Sequence, residues 1–363
     1  MQLDFSGDDF PVASFENAVQ HDADGYACVP VCGVPLRLRQ SEILGGRLWL
    51  GGMRLALEIE RGIALRELGE GGEGASAASL VGKRVAELGA GCAGLPGVAL
   101  ALRHKMRVTL TEHPDVIPIL RENIDAVKSQ VAHLAARGEV DRDAADAVAA
   151  ISVLPLDWND HEALRALATG AELDDEGRPV TRDDPTIQPN YDAGFPLVVW
   201  ADAGYFSEHT ALLRAAAALV APTGVILAVE SLRSESATRS FRRAFGAAGL
   251  FAVRVLGEGD LRVDETWTLA MEWQNRAEAR QARRAVAEGR FDKSYGERGG
   301  DGRRAATTTA EVGAKRGKRW VTGEGEARRL TTRPGLGSTV VARDAPVAKD
   351  ATLWAVPEET ADA

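Results

Sequence analysis

The chain has 363 residues, 45% apolar and 26% charged, which suits one large folded domain with appendages and excludes a wholly disordered or fibrous protein. Its net charge of −10 is uneven: residues 276–363 hold 18 Lys and Arg against 13 Asp and Glu, the first 275 hold 25 against 40. An acidic body is a poor platform for nucleic-acid phosphates and a fair one for a basic protein partner, and no apolar run approaches the roughly 18 residues that predict a membrane span.

In chain order, Val29–Val31 and Val34–Leu38 read as a pair of edge strands around Gly33, part of a β-rich extension over residues 1–60. Within 48–59, Trp49, Met53, Leu55, Ala56, Leu57 and Ile59 recur at helical spacing. A low-complexity loop at 69–79 precedes the main run of elements in the domain assigned to 61–275. There, strands at 84–87, 107–111, 151–154, 197–201 and 224–230 alternate with helical patterns at 95–103, 116–126, 208–220 and 236–248. Residues 127–150 continue as a polar, Ala-rich helical stretch, and 172–194 reads as an exposed insertion. Such alternation predicts a parallel sheet covered on both faces. Strands at 251–256 and 265–272 lie too close for a crossover helix, so they are expected to pair antiparallel at the sheet's end. Beyond Gln274 the periodicity fades; 276–363 is assigned to a helical extension reaching about Gly289 and then a basic, largely disordered tail. Its Lys315–Arg319 cluster reads as a solvated segment, with a nuclear signal or RNA-binding arm as the alternatives.

Residues 1–20 lack the basic and apolar regions of a secretory signal, and the three cysteines, Cys28, Cys32 and Cys92, read as reduced thiols. The expected compartment is the cytosol, with the nucleus second. Cys28 and Cys32 leave a metal short of ligands, so no metal site is expected. His113 and His209 read as surface histidines.

The chemistry concentrates at strand ends. Lys83–Gly94 reads KRVAELGAGCAG: an acid inside an apolar run, Glu87, then the turn Gly89-Ala90-Gly91. Glu112 stands at the end of the next strand, where an acid can accept hydrogen bonds from ribose hydroxyls. The third strand ends in Leu156-Asp157-Trp158, a carboxylate and a flat ring suited to adenine; the fourth ends in Trp200-Ala201-Asp202-Ala203-Gly204-Tyr205. An acid directly before the glycine turn favours S-adenosylmethionine over a dinucleotide.

Trp49 before a helix, ELGAG at 87–91, TEHP at 111–114, LDW at 156–158 and ADAGY at 201–205 follow one another in a set order. Together they resemble the seven-β-strand protein-lysine methyltransferases called methyltransferase family 16, over roughly residues 40–273. The resemblance implies a doubly wound, Rossmann-like α/β sheet with an antiparallel last strand, S-adenosyl-L-methionine as cofactor and a protein lysine as acceptor. It implies that Gly89, Ala90 and Gly91 pass the methionine part, Glu112 holds the ribose, Trp158 lies on the adenine with Asp157 near its amino group, and Trp49 and Ala201 line the pocket beside Glu87. Asp202 and Tyr205 match the acceptor motif and are the expected catalytic pair. This chain departs from the family pattern in Glu112 for a usual Asp, Ala93 for a usual glycine, and Ala203-Gly204 for a usual apolar pair. The rival readings are transfer to a protein histidine, a small amine or an RNA base, and a non-catalytic methyltransferase-like scaffold. A monomer without membrane or nucleic-acid partners is expected.

Overall fold

Strand β4 (Arg84–Leu88) shows how the sheet divides the interior: Val85 joins one hydrophobic cluster, while Ala86 and Leu88 join another on the opposite face. The period of two also splits Leu197 and Val199 from Val198 and Trp200, so each face needs its own cover. The computed structural model describes residues 20–62, 81–180, 189–204, 209–231, 245, 251–255, 266–273, 275–291 and 319–321.

The N-terminal strands β1 (Gln20–His21), β2 (Ala27–Val31) and β3 (Val34–Leu38) form a separate antiparallel sheet, so 29–31 and 34–38 are not edges of the main one. The β2–β3 hairpin turns on Cys32 and Gly33, both at positive φ (52° and 78°), the pairing that keeps a two-residue loop in step with strand twist. Helix α1 (Leu50–Glu60) follows, and its Met53, Leu55, Ala56 and Ile59 join the hairpin in the first cluster beside Val85. Residues 27–60 therefore share a core with the sheet.

After β4 come α2 (Leu95–His104), β5 (Arg107–Glu112), α3 (Ile117–Ala136), α4 (Arg142–Ala149) and β6 (Ser152–Pro155). α3 runs on to Ala136 through the first part of the helical stretch expected at 127–150, because Val127 and Val131 continue its buried stripe. Helix α5 (His161–Ala168), not anticipated, starts where the Asp160 carboxylate accepts from the Glu162 and Ala163 N–H groups. Then come β7 (Phe195–Ala201), α6 (Thr210–Leu219), β8 (Val220–Ser231), β9 (Phe251–Val255), β10 (Thr266–Trp273), α7 (Arg276–Ala287) and β11 (Arg319–Val321). The expected helix at 236–248 lies outside the described residues except Phe245, as do the 69–79 loop and most of the tail.

The main sheet has the order β11-β9-β10-β8-β7-β4-β5-β6. β6, β5, β4, β7 and β8 run parallel; β10 is antiparallel to both β8 and β9. The predicted doubly wound sheet with an antiparallel last strand is thus present, with β11 added on β9. No described helix is long and apolar enough to cross a membrane.

Helix α7, read from the sequence as the start of the tail, is part of the second core through Ala279, Ala282, Ala285 and Val286. Its Arg283 is fully buried and donates to the carbonyls of Ala217, Ala218, Val220 and Leu167, closing the C-terminal end of α6. Desolvation pushes the guanidinium down to about 10, still charged at neutral pH.

Candidate active site

The ends of β4, β5, β6 and β7 meet at the carboxyl edge of the sheet. Between β4 and β7 the order reverses, the place where open α/β sheets form a crevice. The glycine turn leaves β4 there, with Gly89 and Gly91 at φ of 71° and 62°. Gly89 and Ala90 donate their N–H groups to the Thr111 carbonyl, both at 3.0 Å, and the Thr111 hydroxyl donates back to the Glu87 carbonyl. Gly91 donates to Glu112 Oε2 at 2.6 Å, and His113 donates to Oε1 at 2.7 Å. Burial holds the Glu112 carboxyl above the usual range, and its two backbone donors pull it back.

Glu87 points into the first core and is 2% exposed. Its Oε2 accepts from Gly97 N–H in the first turn of α2 at 2.7 Å, and a Cβ on Gly97 would lie 2.7 Å from that oxygen. Desolvation raises this acid to about 8, so it carries a proton at neutral pH. Glu87 therefore caps a helix from within the core beneath the glycine turn.

This arrangement decides between nucleotide-like ligands. A pyrophosphate site needs free N–H groups at the helix N-terminus. Here Pro96 supplies none, Gly97 is taken by an acid, and the N–H groups of Gly89, Ala90, Gly91 and Gly94 donate within the protein. A ligand without phosphates, bearing a ribose diol and a cation, fits this acid-lined site. S-adenosylmethionine has that chemistry.

Trp158 is half-buried and lies against the turn; a Cβ on Gly89 would come 3.3 Å from its ring. Asp157 folds into an Asx turn, with Oδ1 accepting from the Asn159 N–H at 2.8 Å. Half-buried Trp49 immediately precedes α1. The loop before it crosses the glycine turn: the Gly45 carbonyl would lie 3.4 Å from a Cβ on Gly91, and a Cβ on Gly45 would lie 3.9 Å from Glu112 Oε1. Gly89, Ala90, Gly91, Glu112 and Trp158 are brought together by the strand ends, with the loop leading to Trp49 laid over them.

At the end of β7, Ala201 is half-buried, while Asp202 is 5% exposed and left-handed at φ 53°. Its Oδ2 accepts from Gly51 N–H at 2.8 Å, tying it to α1. Tyr205 lies outside the described residues. His209 is a correction: it is 3% exposed, inside the protein at the start of α6, since the chain must turn inward there to lay α6 on the sheet. Sequence reasoning missed Glu230, which is 9% exposed and accepts from the Trp200 indole N–H at 2.7 Å and from Gly204 N–H at 3.0 Å. An acid directly after the apolar Ala228-Val229 pair was its one signal. Among the described residues no cluster of His, Cys, Asp and Glu could hold a metal ion.

Residues 35–161 match the family model described as lysine methyltransferase. No curated protein matches the chain. Among solved structures, the METTL16 methyltransferase domain is 11% identical, over 72% of this chain and 89% of that one, with a TM-score of 0.40. A putative RNA methyltransferase, PH1948 from Pyrococcus horikoshii, is 13% identical over 65% and 90%, with a TM-score of 0.36. A mutant of MtNAS in complex with S-adenosylmethionine is 15% identical over 61% of this chain, with a TM-score of 0.32; the chain spans 66% of that protein's length, just under two thirds.

Proposed function

We propose that the chain transfers a methyl group from S-adenosylmethionine to a lysine side chain of a protein, a reading supported by the match of residues 35–161 to the lysine methyltransferase family model. The cofactor supplies an electrophilic methyl on a sulfonium. The observation that carries the reading is the pocket wall of Glu112, Trp158 and a glycine turn whose helix end is closed to phosphate by Glu87 and Pro96.

Each residue has a task that its position supports. Glu112 keeps acceptor capacity beyond its two backbone donors and takes the ribose hydroxyls. Trp158 offers a ring to the adenine, and Asp157 its second carboxylate oxygen to the amino group. Trp49 and the 41–48 loop cover the site from the N-terminal side and keep water from the reacting centre. In-line displacement at a methyl needs alignment more than a metal or nucleophile, and a held geometry contributes up to about 7–11 kcal/mol. The acidic body, 25 basic against 40 acidic residues before position 276, attracts a lysine-rich acceptor and repels nucleic acid.

The test is calorimetry with S-adenosylhomocysteine, with NAD and ATP as controls, then incubation with tritiated S-adenosylmethionine and whole-cell extract. Binding of the homocysteine compound alone and label released by protease support the proposal. Label released by nuclease overturns the acceptor; absence of binding overturns the whole reading.

A further inference from the structure

Resting on the methyltransferase reading, we infer that Asp202 is a positioning residue: it fastens the 41–51 loop across the cofactor site by capping α1, and does not handle the acceptor amine. Its carboxylate is desolvated and already accepts from Gly51 N–H at 2.8 Å, at the positive end of an eleven-residue helix. The approach is close enough to demand glycine, since a Cβ on Gly51 would lie 2.5 Å from Oδ2 and 2.7 Å from Cγ. Asp202 holds a left-handed backbone (φ 53°) that few side chains adopt, and its own N–H donates to the Val229 carbonyl at 2.8 Å, fixing it to β8.

The loop it fastens is tied at the other end as well. Gln40 Oε1 accepts from Leu48 N–H at 2.8 Å, and Ser41 N–H donates to the Gly46 carbonyl at 2.7 Å. Between these ties, Gly45 rests on Gly91, Glu112 and Val116. Asp202 thus connects the acceptor-side strand end to the strap over the ribose acid, 151 residues away in sequence. An amine arriving at the site meets a carboxylate that is 5% exposed and whose Oδ2 already accepts from a backbone N–H.

The experiment compares the full chain with D202A, D202N, G51A and the double variant D202A/G51A, by S-adenosylhomocysteine calorimetry and by amide hydrogen exchange without ligand. D202A is expected to speed exchange across 45–52 and weaken binding about tenfold, equivalent to about 1.4 kcal/mol. D202N keeps an oxygen acceptor for Gly51 and is expected to stay within about threefold of the wild type. G51A is expected to reproduce D202A, and the double variant to bind no more weakly than either single one. Wild-type binding and wild-type exchange in D202A overturn the inference. Should G51A not fold, the contrast between D202A and D202N decides. A wild-type protein that does not bind S-adenosylhomocysteine instead overturns the methyltransferase reading.

Discussion

The strand ends on the two sides of the crevice use their acids differently. On the β4–β5 side, one acid is buried to cap a helix and a second, Glu112, is held by two backbone amides with its remaining capacity at the pocket. On the β7–β8 side, both Asp202 and Glu230 accept from backbone amides and sit below a tenth exposed. On the proposed reading, the first side presents chemistry to a ligand. The second commits its acids to holding the chain that frames it.

Glu230→Ala tests that contrast most severely. It leaves the buried Trp200 indole N–H and the Gly204 N–H without their acceptor, at about 1–3 kcal/mol each. Chemical denaturation should show a large loss of stability, with Glu230→Gln much milder; a fully stable alanine variant would break the comparison. Glu112→Ala should act in the opposite way, losing about 1.5–3 kcal/mol of S-adenosylhomocysteine affinity, roughly ten- to hundredfold, with the fold retained. Unchanged affinity in calorimetry would remove Glu112 from the ribose site. Trp158→Ala should cost about 1 kcal/mol of the same affinity, within the range of aromatic stacking; an effect on stability alone would make the ring a packing element.

Glu87→Gln is expected to change stability least below about pH 4.5, where the acid is protonated in the folded and the unfolded chain alike, and to be the more stable variant as pH rises. Its folded value, about 8, lies above the ordinary carboxyl value of 4.5, so the folded state binds the proton more tightly. The stability tied to that proton is fully present below about 4.5 and is lost as pH rises through about 8. Denaturation midpoints of the wild type should therefore fall across that window relative to Glu87→Gln. Parallel pH profiles would show that Glu87 is ionised in the fold.

The strands and the turn were legible because apolar alternation places their ends within a residue or two, and Glu112 and Trp158 then fall beside the turn by sheet order alone. Helix α7 was not. Its surface is dominated by Arg, Glu and Gln, and its buried stripe is mostly alanine, at 279, 282 and 285, which carries little apolar weight. Its anchor, Arg283, is a cation that only the nearby carbonyls of α6 and Leu167 make tolerable inside. The tie between Asp202 and Gly51 was hidden for another reason. It joins positions 151 apart through one amide, and local pattern holds no trace of such a pairing. Asp202 was legible as important, and its partner was not.

The interior place of β10 sets an order on assembly. It lies between β8 and β9 although it follows both in the chain, so β8 keeps an open edge until Thr266–Trp273 is made. A nascent chain growing from its N-terminus can lay down β4 to β8 early, yet must carry an unpaired apolar edge until then, the kind that invites pairing with other chains. A chaperone that shields such edges would have its main work here during that interval, after the cofactor wall has formed and before the sheet is closed.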